Sequence, residues 1–193
     1  MTTANKVTIL RILLVPFFVV EILYYMKDGH EEHRLLGLLA FAVAAILDGV
    51  DGYIARRYNQ KSELGAILDP LADKLLLVSG IVLLSLGSQI QFKVIPLWFT
   101  ATVISRDVLV IIGLVVILLT CDTVTVRPRM AGKIATVLQM VTVLWTILKW
   151  NDSWRDRLAF AAASFTGLSG LWYVWDGIRQ LSASPRSSPK VDQ

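Results

Sequence analysis

Residues 48–74 read DGVDGYIARRYNQKSELGAILDPLADK, and this stretch places four aspartates in two segments that are otherwise apolar. Asp48 and Asp51 are three residues apart, with Ala55 continuing their face, and Asp69 and Asp73 are four apart. Both spacings put the members of a pair along one face of a helix. At about 1.5 Å of rise per residue the partners are only roughly 4.5 and 6 Å apart along the axis. A tight turn at Asn59-Gln60-Lys61-Ser62 folds the second helix back on the first. Four carboxylates then converge with no lysine on the same faces. Such a cluster is electrostatically untenable unless it binds cations or some members stay protonated.

Composition sets the medium in which this happens. The chain has 193 residues, of which 55% are hydrophobic, and apolar runs recur along nearly all of it. Its mean hydropathy of +0.61 excludes an ordinary soluble domain. The expectation is one all-α integral membrane domain over residues 1–181, followed by a disordered Pro/Ser-rich tail at 182–193. Six spans are legible, at about 7–26, 34–58, 63–87, 94–120, 130–149 and 157–178. Pro16 interrupts the first, together with Arg11, and Pro70 falls inside the third, where a kink would free a carbonyl near Gly65 and Asp69. The first run is read as a retained helix rather than a cleaved signal, because no small-residue cleavage site follows it.

Charge gives the orientation. A net charge of +4 could suggest nucleic acid in a soluble protein, but here the basic residues belong to loops facing anionic lipid heads. With the N-terminus cytoplasmic, that side receives Lys6, Arg56, Arg57, Lys61, Arg127, Arg129, Lys133, Arg179, Arg186 and Lys190, and the other receives fewer. Both termini are therefore expected in the cytoplasm. Asp48 lies about 21 Å of helix from Arg34 and Asp51 about 26 Å. That depth is the cytoplasmic third of a bilayer whose apolar core is about 30 Å thick. Cys121 is the sole cysteine, which excludes a disulfide framework or a cysteine-based metal site.

From the residues alone three readings of the aspartates stay open. They are helix-end charges paired with Arg56, Arg57 and Lys74; they are an ion or proton path in a small cation-coupled transporter; or they hold two hard divalent cations, which favour several oxygen ligands and shared carboxylates. The full spacing is D-x2-D-G-x2-A-R-x8-G-x3-D-x3-D, from Asp48 through Asp51, Gly52, Ala55, Arg56, Gly65 and Asp69 to Asp73. At every position it resembles the signature of the CDP-alcohol phosphatidyltransferases.

That resemblance implies a six-helix membrane enzyme that attacks CDP-diacylglycerol with an alcohol and releases CMP. It implies Asp48, Asp51, Asp69 and Asp73 as ligands of two Mg²⁺ or Mn²⁺ ions, with Asp73 also the general base. Gly52, Ala55, Arg56 and Gly65 would flank the CDP-diacylglycerol, although both glycines also suit close helix packing and Arg56 also suits snorkelling to the interface. Asn5, Thr8 and Arg11 resemble the polar positions of a P-N-x-L-T-x-x-R pattern, with Ala4 and Val7 departing from it; Asn5 and Thr8 would assist nucleotide binding, or merely begin a helix.

Two further sites complete the expectation. Gly132-Lys133-Ile134-Ala135-Thr136 with Gln139 resembles the family's G-K-x-K-T-x-x-Q, with Ala135 in place of the second lysine. Arg106, Lys133 and Arg129 would form a basic pocket for a phosphate-bearing acceptor. Asp107, adjacent to Arg106 in sequence, is expected to point elsewhere. Glycerol 3-phosphate as acceptor would make the protein a phosphatidylglycerophosphate synthase; phosphatidylglycerol would make it a cardiolipin synthase, a branch that Ile104-Ser105-Arg106-Asp107-Val108 resembles more closely. The family also implies a homodimer in a bacterial inner membrane with its site on the cytoplasmic side. His30-Glu31-Glu32-His33 reads as a solvated loop rather than a metal site.

Overall fold

The computed structural model describes residues 3–58, 63–87, 93–120 and 130–182. Among these residues there are six helices and no strand: α1 Thr3–Asp28, α2 Glu31–Tyr58, α3 Glu63–Leu86, α4 Leu97–Thr120, α5 Met130–Ile147 and α6 Asp152–Ser182. The turn at 59–62 and the tail from 183 onward lie outside the described residues. Among the described residues four stretches are long and apolar enough to cross a membrane: Val7–Asp28, Leu97–Val116, Met130–Ile147 and Asp152–Arg179. A chain of this kind is an integral membrane protein.

Helix ends differ from the apolar runs where polar residues cap them. Gly29 adopts φ 71° and donates its N–H to the Tyr25 carbonyl at 2.9 Å, a left-handed glycine cap that stops α1. The loop expected at 30–33 is consequently almost absent, since α2 begins at Glu31. Asn151 begins α6 five residues earlier than the hydropathy implied: its side-chain oxygen accepts from the Ser153 N–H at 2.9 Å. α1 and α3 continue through Pro16 and Pro70 as helices.

By compactness the chain divides into two units, one of residues Met1–Pro96 and Met140–Asp156, the other of Leu97–Gln139 and Arg157–Gln193. In the first, α1 packs against both α2 and α3. Its buried face is Thr8, Arg11, Val15, Phe18, Ile22 and Tyr25. This alternation of three and four residues is the seam of helices packed side by side. Opposite it run Phe41 and Ala44 of α2 and Leu77, Ile81 and Leu84 of α3. Phe18 and Phe41 meet with ring centroids 5.3 Å apart. Gly37 permits the close approach of α1 and α2, because a Cβ there would lie 2.8 Å from Ile22 Cδ1. With lipid outside, such packing rather than water exclusion holds the helices together.

One end of this unit is tied by charges. Lys149 takes a left-handed φ of 55° just past α5, and its ammonium bonds Glu31 at 3.1 Å while lying 4.9 Å from the Tyr25 ring centre. Arg34 donates to the Ile147 carbonyl at 2.9 Å, and Arg155 to the Lys93 carbonyl at 2.8 Å. Arg34 first, then Lys149, hold the Glu31 carboxyl down at a pKa of about 2. Burial works against the Lys149 charge, but its bonds with Tyr25 and Glu31 outweigh it and raise its pKa.

The second unit is built from α4 with parts of α5 and α6. Its buried residues include Phe99 and Val103 of α4, Ala135 and Gln139 of α5, and Ala159, Ala162, Thr166 and Ser169 of α6. Gln139 donates to the Thr166 hydroxyl at 2.8 Å, and Thr166 donates to the Ala162 carbonyl at 2.6 Å. Hydroxyls satisfied by the preceding turn are how helices carry Ser and Thr into an apolar interior.

Candidate active site

The seam of the first unit ends in ionisable side chains. On α1 it runs up to Arg11, and the buried faces of α2 and α3 run on to Asp48 and Asp73, each four residues from a buried apolar residue, Ala44 and Leu77. Arg11 is 2% exposed and lies between the two carboxylates. Its Nη1 is 3.1 Å from Asp48 Oδ1, and its Nη2 bonds Asp73 Oδ1. One guanidinium therefore joins three helices, using the planar fork that lysine lacks. The carboxylates themselves keep 36% and 32% exposure, so each presents a side to the outside of the unit.

Asp51 and Asp69 sit on the described backbone of α2 and α3, one turn from Asp48 and Asp73; their side chains lie outside the described residues, as do those of Asn5, Gly52, Ala55, Arg56 and Gly65. Thr8 is buried one turn before Arg11. Among the described residues no three His, Cys, Asp or Glu side chains gather as a metal cage. Asp48 and Asp73 are nevertheless hard oxygen donors drawn from two helices to one point and partly open, which suits a Mg²⁺ or Mn²⁺ that keeps some of its own water. The sequence offers Arg56, Arg57 and Lys74 as partners for these aspartates, with no lysine on their faces. Arg11 supplies a counter-charge from α1. Its signal was a lone arginine in an apolar run, three residues after a threonine that proves equally buried.

A second polar site occupies the other unit. Arg106 Nη1 donates to Asp107 Oδ1 at 2.8 Å and Nη2 to Ser169 Oγ at 3.1 Å. Its guanidinium stands 5.3 Å from the centre of the Tyr173 ring, within cation–π range. The expectation that Asp107 points away from Arg106 is wrong. Successive side chains do leave a helix about 100° apart, but the long arginine arm folds back around the cylinder to reach its neighbour. Arg155 does the same with Asp156 at 2.6 Å.

Glycines make room for this arrangement. A Cβ on Gly132 would lie 3.4 Å from Arg106 Nη2 and from Ser169 Oγ, and one on Gly170 would lie 3.3 Å from Arg106 Cγ. Lys133, next to Gly132, is exposed, while Arg129 lies outside the described residues. Two contacts engage two of the five N–H donors of Arg106. Ser169 and Tyr173 were not singled out from sequence, since a serine and a tyrosine on an apolar helix carry no distinguishing pattern until α6 is placed beside α4.

Residues 1–175 match the sequence profile described as CDP-alcohol phosphatidyltransferase. The chain is 32% identical over 192 residues to a Bacillus subtilis protein named CDP-diacylglycerol–glycerol-3-phosphate 3-phosphatidyltransferase, covering 91% of this chain and 96% of that one. An Escherichia coli K12 protein of the same name is 31% identical over 180 residues, covering 92% and 91%. A Mycobacterium tuberculosis H37Rv protein named probable phosphatidylglycerophosphate synthase is 31% identical over 182 residues, covering 92% and 82%.

Proposed function

The chain belongs to the CDP-alcohol phosphatidyltransferase family, and on that premise we propose that it makes phosphatidylglycerophosphate by transferring the phosphatidyl group of CDP-diacylglycerol to glycerol 3-phosphate, with release of CMP. It is a phosphatidyltransferase of phospholipid biosynthesis. The acceptor assignment draws on the names of the relatives from three bacteria. The observation that carries the site is the meeting of Asp48 and Asp73 at one guanidinium, which supports reading the aspartate stretch as one centre rather than as separate helix-end charges.

Asp48, Asp51, Asp69 and Asp73 would hold two Mg²⁺ or Mn²⁺ ions. Bound there, such ions supply Lewis-acid charge to the diphosphate and increase the acidity of the acceptor hydroxyl. Asp73 takes the proton of that hydroxyl as its oxygen bonds to the lipid-linked phosphorus. The phosphoanhydride bond breaks in the same displacement, and CMP leaves with the electron pair. Gly52, Ala55, Arg56 and Gly65, with Asn5 and Thr8, would border the CDP-diacylglycerol. Arg106, Lys133 and Arg129 would bind the acceptor phosphate; Arg106 already orients its fork on Asp107 and Ser169. Six spans, both termini in the cytoplasm, a homodimer and a site opening to the cytoplasmic side of a bacterial inner membrane complete the proposal.

An assay with labelled CDP-diacylglycerol against glycerol 3-phosphate, phosphatidylglycerol, serine and inositol phosphate, with the lipid product identified, tests it. CMP release with glycerol 3-phosphate alone, abolished by chelation and by Asp51→Asn or Asp69→Asn, is the expected result. Turnover with phosphatidylglycerol would make the protein a cardiolipin synthase. No CMP release with any acceptor would remove the enzymatic assignment.

A further inference from the structure

We propose that Arg11 is a built-in cation that holds Asp48 and Asp73 together in the metal-free protein and is in direct competition with the divalent ion for them. The inference rests on the proposed metal site and adds a residue that acts against metal binding. Three observations carry it. Arg11 is 2% exposed, so its charge is committed to the interior. It bonds one oxygen of each of two carboxylates on different helices. Those carboxylates are a third exposed, so a cation has access to the same groups from the outside.

The two divalent ions proposed for the site would bring four positive charges next to a buried guanidinium, and the resulting five exceed the four negative charges of Asp48, Asp51, Asp69 and Asp73. Arg11 thus opposes metal in the substrate-free state. It also spares the helices the repulsion of facing carboxylates when metal is absent. The arrangement favours loading together with the diphosphate, whose negative charge relieves the repulsion. Arg11 is on this account a positioning residue: it acts through the ligands and not on the reacting atoms.

Removing its charge therefore has opposite effects on two quantities that a merely structural residue would move in the same direction. In purified, substrate-free protein, Arg11→Gln should bind Mn²⁺ at least tenfold more tightly, measured by electron paramagnetic resonance of free Mn²⁺. In EDTA the same variant should unfold several degrees lower than the parent, with added Mn²⁺ closing the gap. Arg11→Lys keeps the charge but not the fork, and should bind Mn²⁺ with an affinity between the two. If Arg11→Gln does not fold, Arg11→Lys alone decides. Mn²⁺ binding by the variants equal to or weaker than the parent's, or an unchanged unfolding temperature in EDTA, overturns the proposal. If neither parent nor variants bind Mn²⁺, the metal site fails and this inference with it.

Discussion

Replacing Arg106 separates a phosphate-binding arginine from a merely structural one. The guanidinium bonds Asp107 at 2.8 Å and Ser169 at 3.1 Å, and Asp107 is only 15% exposed. Arg106→Ala deprives that carboxylate of its guanidinium inside α4, and removing one member of a buried pair costs about 3–5 kcal/mol. Residual exposure and water place the expected loss near the lower end. The acceptor effect is a separate quantity. A charge-assisted bond to a phosphate contributes about 1.5–3 kcal/mol, which corresponds to roughly ten- to a hundredfold in acceptor KM. The double variant Arg106→Ala/Asp107→Asn divides the two, because it removes the buried charge without restoring a phosphate ligand. The assay is incorporation of labelled glycerol 3-phosphate in mixed micelles, with thermal unfolding of the same preparations. Stability should largely return in the double variant, while acceptor KM stays raised and KM for CDP-diacylglycerol hardly moves. A double variant with normal acceptor KM would refute the reasoning and leave Arg106 as the partner of Asp107.

Three further outcomes are expected. Gly170→Ala pushes a methyl to 3.3 Å from Arg106 Cγ, so it should raise acceptor KM severalfold with little change in unfolding temperature, as steady-state kinetics would reveal. Phe18→Ala empties a fully buried position facing Phe41 at the centre of the α1 seam; it should cost about 3–5 kcal/mol in reversible unfolding, whereas Phe17→Ala on the exposed face should cost little. Glu31, ahead of the second span, has its pKa depressed from 4.5 to about 2 by Arg34 and Lys149, so its contribution is complete above pH 4.5 and is lost as pH falls through about 2. The parent's unfolding temperature should therefore decline more steeply than that of Glu31→Gln over that window in a thermal scan against pH.

The sequence by itself determined the six helices, the membrane setting and the family. Apolar runs of about twenty residues have few other uses, and a spaced set of eight residues carries information that does not depend on how helices are arranged. It also marked Asp48 and Asp73, because carboxylates inside apolar runs are costly wherever they point. What it could not determine was partnership. Arg11 looked like one polar residue of the first helix, and only the packing of α1 against α2 and α3 shows it bonded to an aspartate of each. Asp107 was misjudged for a related reason: helical periodicity fixes where Cβ points, whereas the end of an arginine lies several rotatable bonds away. Ser169 and Tyr173 gained significance only when α6 brought them to Arg106. Periodicity and composition are properties of a segment, but the charge that neutralises a buried carboxylate comes from another helix, and that choice belongs to the tertiary structure.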